Sequence, residues 1–167
     1  TGYIPLEATN AFISYGTGWN NTSPTSSVFT VGSDSAFNYS GHTHIAYCFA
    51  EVPGFSKIGS YTGNSSADGP FVWCGFKPAF IMIKNSTTGG GGYDWFIYDS
   101  ARDPYNLTTL DINSNSSQAE NQNSGDGIDI LSNGFKIRVS TAATNTSGNT
   151  FIFIAFADVP FKYATAR

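Results

Sequence analysis

The chain repeats itself. Phe29-Thr30-Val31, Ser40-Gly41 and Ile45-Ala46-Tyr47-Cys48-Phe49-Ala50-Glu51-Val52-Pro53 return about 107 residues later as Phe135-Lys136-Ile137, Ser147-Gly148 and Ile152-Phe153-Ile154-Ala155-Phe156-Ala157-Asp158-Val159-Pro160. A duplicated unit limits the fold more than any local propensity, because both copies must suit one architecture. Each copy reads as a β-hairpin: a strand, a polar turn and a second strand closed by acidic-Val-Pro, where proline ends the ladder by lacking an amide donor. The two-residue period puts Ile45, Tyr47 and Phe49 on one face, and Ile152, Ile154 and Phe156 on its equivalent, which is the expected core face. Ala46, Cys48 and Ala50, like Phe153, Ala155 and Ala157, make the other face apolar too, so both strands are expected to be central and covered. Phe71 to Tyr105 has no counterpart upstream. The chain therefore reads as a single 167-residue domain built from a half unit (about 1–57) and a full unit (about 58–167). A leading half unit beginning at Thr1 is what a C-terminal piece of a longer chain would carry.

Composition agrees with a strand-rich fold. Aromatic residues make up 16% of the chain and hydrophobic residues 40%, enough for a core, while charged residues are only 12%. Thr and aromatics suit pleated sheets, and 18 Gly and 7 Pro supply turns. Strand-like runs recur at Phe29–Val31, His44–Ala50, Lys57–Tyr61, Phe71–Phe76, Phe80–Lys84, Asp94–Tyr98, Phe135–Val139 and Thr150–Ala157, with weaker ones at Ala11–Tyr15 and Ile128–Ile130. This pattern predicts an all-β fold, a jelly-roll-like antiparallel β-sandwich of about ten strands with little or no helix. The one place for a helical turn is Ser116–Glu120. The Gly-rich stretch Asn85–Gly92 reads as a flexible hairpin tip. A net charge of -4 with scattered Lys and Arg argues against nucleic acid as a partner. No apolar run is long enough for a membrane-spanning helix, so no membrane insertion is expected. Cys48 and Cys74 stand in no zinc-like spacing.

Three stretches together resemble a repeat module of tailed-bacteriophage tail-fibre and appendage proteins of the marine phage type. They are Ile45–Ala50 with Phe55-Ser56-Lys57-Ile58-Gly59-Ser60-Tyr61-Thr62-Gly63-Asn64, Gly75-Phe76-Lys77-Pro78-Ala79-Phe80-Ile81-Met82-Ile83-Lys84, and Trp95-Phe96-Ile97-Tyr98-Asp99-Ser100-Ala101-Arg102-Asp103-Pro104-Tyr105-Asn106. The ending Ala155–Arg167 resembles the C-terminus of such proteins. The resemblance implies an extracellular virion protein, a homo-oligomer with a trimer favoured, contacting other virion proteins and a host surface glycan in adhesion or assembly. It carries no catalytic residue and no cofactor. Two other readings fit the same residues: a capsid decoration or cement protein, and a secreted carbohydrate-binding module.

The candidate binding loop is Asp99 to Asn106, where Asp99, Arg102, Asp103 and Asn106 offer hydrogen bonds to sugar hydroxyls and Tyr105 a stacking surface. Its alternative is structural, with Arg102 locking the loop through Asp99 or Asp103. Trp19 is the tryptophan most open to a sugar-stacking role. Trp95 and Trp73, the latter beside Phe71, are expected in core packing or a subunit interface. His42 and His44 are the one histidine pair that alternate strand positions would aim at a metal. Their repeat equivalents, Asn149 and Phe151, cannot match them, so no metal is expected. Asp126 and Asp129 are too few oxygen ligands for calcium. Glu51 and Asp158 could pair as glycosidase carboxylates, but as repeat equivalents before proline they read as structural. Cys48, in an expected covered strand, lacks a nucleophile's setting. The chain is not expected to be an enzyme.

Overall fold

The computed structural model describes residues 1–122 and 127–158. It resolves into two compact units, one of residues 1–5 and 12–49, the other of residues 6–11 and 50–167.

The first unit has little regular structure. β1 (Gly2–Tyr3) pairs antiparallel with β2 (Ile13–Ser14), Tyr3 facing Ile13. Thr17–Trp19 forms one 3-10 turn, and α1 (Ser35–Asn38) is capped by Asp34, whose Oδ1 accepts the Ala36 amide at 2.8 Å. Rings of Tyr3, Tyr15, Trp19 and Phe37 cluster around these turns, with Trp19 and Phe37 centroids 4.8 Å apart. The Tyr15 hydroxyl donates to Asp34 and holds that carboxyl below its ordinary range. Phe29–Val31 and His44–Ala50, both expected as strands, are not strands here. Thr43–Cys48 makes no backbone hydrogen bond to any described residue, and a ladder needs a neighbour whatever the propensity of its residues. Ile45 and Tyr47, expected in the core, are 76% and 81% exposed.

The second unit is a sandwich of two antiparallel sheets. One holds β4 (Phe71–Trp73), β10 (Gly134–Ile137) and β9 (Ile128–Leu131), in the order β4-β10-β9. The other holds β3 (Ser56–Thr62), β11 (Thr150–Ala157), β5 (Pro78–Asn85), β6 (Phe96–Asp99), β7 (Leu110–Asn113) and β8 (Asn121–Gln122), in the order β3-β11-β5-β6-β7-β8. The expected all-β class is what the chain adopts. β11 is central, bonded along its length to β3 and β5, with Phe153 opposite Gly59 and Ile83. A Cβ at Gly59 would press within 3.0 Å of the Phe153 ring, so the glycine makes room for that ring.

The core face of β11 is the reverse of the one expected. Phe151, Phe153 and Ala155 are buried, whereas Ile152, Ile154 and Phe156 are half-buried on the other side. Both faces are apolar, so alternation could not choose between them. What chooses is the facing sheet: Val72, Ile128, Ile130, Phe135 and Ile137 join Ile81, Ile83, Phe96, Tyr98, Phe151 and Phe153 in one core, with Phe135 and Phe153 edge to face at 5.3 Å. The expected hairpin of the second copy does not form either. β10 lies in the three-stranded sheet and β11 in the six-stranded one, and α2 (Ala142–Asn145) carries the chain across. Helix sits there and at α1, not at Ser116–Glu120.

One buried amide fastens this crossing. Asn145 Nδ2 donates to Val139 O at 2.7 Å and Ser66 O at 2.8 Å, and its Oδ1 accepts the Asn64 amide at 2.8 Å. Tyr61 stacks on Phe151 at 5.1 Å and donates to Thr144 O at 2.7 Å, which ties the same turn to β3. Residues 6–11 are held by Lys84, which is fully buried, donates to Asn85 O at 2.9 Å and Thr9 O at 3.3 Å, and has its pKa lowered by burial.

Candidate binding surfaces

Three surfaces expose what a partner could grip. In the first unit an open groove of about 850 Å³ is lined by Trp19, Phe29, Phe37, Ile45, Tyr47 and Cys48, with His44 at its wall. Trp19 is half-buried against Phe37, and its Nε1–H is shielded from solvent without a hydrogen-bond partner among the described residues. His42 and His44 are both exposed, and the His42 ring lies tilted against Tyr39 with centroids 4.4 Å apart. Among the described residues no three His, Cys, Asp or Glu side chains gather closely enough to share a metal ion. Cys48 is exposed, not covered as its expected strand required, and Cys74 is buried; both are free thiols.

The loop from Asp99 to Asn106 borders a cleft of about 340 Å³ in the second unit, with Lys77, Thr108, Ile130 and Asp158 also in its walls. Its polar groups turn onto the protein itself. Asp99 Oδ1 accepts the Ala101 amide at 2.7 Å, and Asp103 Oδ2 accepts the Thr109 amide at 2.8 Å. Arg102 meets Glu120 at 2.6 Å and donates to Ile97 O at 3.2 Å, with Asp99 at 3.9 Å, so its main anion is one that sequence proximity did not suggest. Asn106 both donates to Ile130 O and accepts its amide, at 3.0 and 2.9 Å, as a strand neighbour would. Tyr105 alone is turned outward, 79% exposed. The repeated acids do parallel work: Glu51 meets Lys57 at 2.9 Å and Asp158 meets Lys77 at 3.3 Å. Asp129 pairs with Arg138 at 3.3 Å, while Asp126 lies outside the described residues, as do Val159 to Arg167.

The third surface is the outer side of β4. Val72 points into the core and is flanked by Phe71 and Trp73, 46% and 60% exposed, so core packing, one of the two settings expected for them, is not what they adopt. The alternation was legible, but not which side faced inward: Val72 and Cys74 join the core cluster. Trp95, by contrast, is buried.

The second unit is a β-sandwich that leaves Phe71, Trp73 and Tyr105 exposed. The chain belongs to the family described as a domain of unknown function (DUF7483), which matches residues 1–160. No curated protein and no solved structure matches it.

Proposed function

We propose that the chain is a structural, non-catalytic module of a phage tail fibre or appendage, extracellular on the virion. It assembles with copies of itself into a homo-oligomer, a trimer by preference, and serves virion assembly and attachment to the host surface. The observation that carries the assembly reading is the segment Thr43–Ala50. It repeats the sequence of β11, a strand bonded on both edges, yet Ile45 and Tyr47 lie open to solvent beside an aromatic groove. A contiguous apolar surface of this kind marks an interaction site, and a strand from another copy supplies what β3 and β5 supply to β11. The virion setting rests on the resemblance to appendage proteins and is a fold-level analogy.

Light scattering over a range of concentrations tests it. The expected mass is a multiple of 17.9 kDa, and a double substitution Ile45→Asp and Tyr47→Asp, both at exposed positions, returns it to one chain with unchanged near-UV circular dichroism. A single-chain mass for the unsubstituted protein up to about 1 mM would sink the reading. Dissociation of the oligomer by an added chelator would bring His42 and His44 back as candidate metal ligands.

A further inference from the structure

β3 and β4 are each the edge strand of their sheet. Trp73 stands at that edge between two clefts of similar size. One, of about 300 Å³, is walled by Phe71, Ser60 and the backbone of β3; the other, of about 310 Å³, by Glu51, Gly54 and Gly75. Gly75 positions the ring: a Cβ there would lie 3.0 Å from the indole carbons, and its φ of 81° favours glycine independently. Phe71 follows on the same side of the strand two residues before.

The charges beside this edge neutralise one another. Glu51 pairs with Lys57 at 2.9 Å and Asp68 with Lys136 at 2.8 Å. Among the described residues these pairs leave no unpaired charge beside the edge, so the occupant that fits is uncharged. Strand addition by a peptide is disfavoured, because Val52 and Ser56 exchange backbone bonds at 3.2 and 2.9 Å at one end of β3. Beside that end Lys57 protects the edge, as lysine does on exposed strands. What remains is an exposed indole with room on both sides, a phenyl ring in line with it, and hydroxyl and carboxylate acceptors around. A pyranose has one apolar C–H face and a rim of hydroxyls, and it matches that set.

We infer that the β3–β4 edge is a binding site for a neutral oligosaccharide, with a pyranose ring stacked on Trp73 and the next unit of the chain reaching Phe71. The site lies wholly in the second unit and does not rest on self-assembly through Thr43–Ala50, so a protein that proves to be a single chain still tests it. Calorimetric titration with cellohexaose, maltohexaose and chitohexaose as neutral probes, and a galacturonate hexamer as an anionic one, reads it out. At least one neutral probe is expected to bind with a Kd in or below the millimolar range and more tightly than the anionic probe. Trp73→Ala weakens it about tenfold or more, Phe71→Ala less, and Trp73→Phe restores part of the loss. The exposure of Trp73 leaves the fold of these variants intact, which an unchanged melting temperature checks. The inference is overturned by no binding of any neutral probe up to about 10 mM, by binding that Trp73→Ala leaves unchanged, or by preference for the anionic probe.

Discussion

Replacing Asn145 by Ala is expected to destabilise the second unit by about 3–4 kcal/mol, from a substitution that touches no exposed atom. The magnitude follows from what the amide leaves behind. Val139 O is buried and loses its donor, a cost of about 2 kcal/mol when no water can replace it. Ser66 O and the Asn64 amide are only partly buried, so water recovers part of each bond and the pair contributes about 1 kcal/mol. The volume lost beneath α2 adds roughly a further 0.5–1 kcal/mol. For a chain of this length that is a fall in Tm of roughly 10 °C. Urea unfolding, followed through the exposure of Cys74 so that only the second unit is read, should show a lower midpoint with an unchanged slope. Asn145→Asp should be worse than Ala, since it keeps an acceptor for Asn64 but turns a charged oxygen toward two carbonyls. A loss under about 1 kcal/mol, or an Asp variant as stable as the Ala variant, would show that the network does not fasten the crossing.

The two thiols should separate cleanly: Cys48 is exposed, whereas burial pushes the Cys74 thiol up to about 12. In the single-chain Ile45→Asp and Tyr47→Asp variant an aromatic disulfide reagent at pH 8 should modify one thiol per folded chain, lost on adding Cys48→Ser, and the second only on unfolding; two fast thiols would contradict the burial of Cys74. On the acid side, Glu51 beside Lys57, Asp68 beside Lys136 and Asp34 beside Tyr15 all titrate below their ordinary range in the folded chain. The unfolded chain then holds more protons, so stability is present above about pH 5 and is lost as pH falls through the folded values. Melting followed against pH should show that decline and a shallower one in Lys136→Met; a gain in stability on acidification would reverse the sign.

Much of the second unit was legible because its strands carry their own punctuation. Thr150–Ala157 is legible to the residue, and Phe71 is legible as the start of β4. β7 and β8 were missed, since Leu110–Asn113 alternates only weakly and Asn121–Gln122 is polar; they are strands because β6 offers an edge to extend. The binding loop was read in composition but not in orientation. Asp103 and Asn106 look available in sequence, yet the amides that occupy them, Thr109 and Ile130, come from backbone that only the fold brings near. Asn145 was invisible for the same reason, its side-chain partners Asn64, Ser66 and Val139 lying on two separate segments.

The repeat misled and informed at once. Ile45–Ala50 and Ile152–Ala157 differ at three positions, where Ala46, Tyr47 and Cys48 stand for Phe153, Ile154 and Ala155. The first substitution removes the ring that packs on Phe135 and fits over Gly59, which is the anchor of β11 on its core side. The second enlarges the residue on the opposite side, the side that β11 keeps only half-buried. The first copy has thus moved its apolar bulk from the face that a sandwich covers to the face that it leaves open. A strand built to complete its own core would lose stability by that exchange. The duplicated sequence therefore occupies two different settings, internal core for β11 and solvent exposure for Ile45 and Tyr47, and the bulk at Tyr47 is the residue-level sign that separates them.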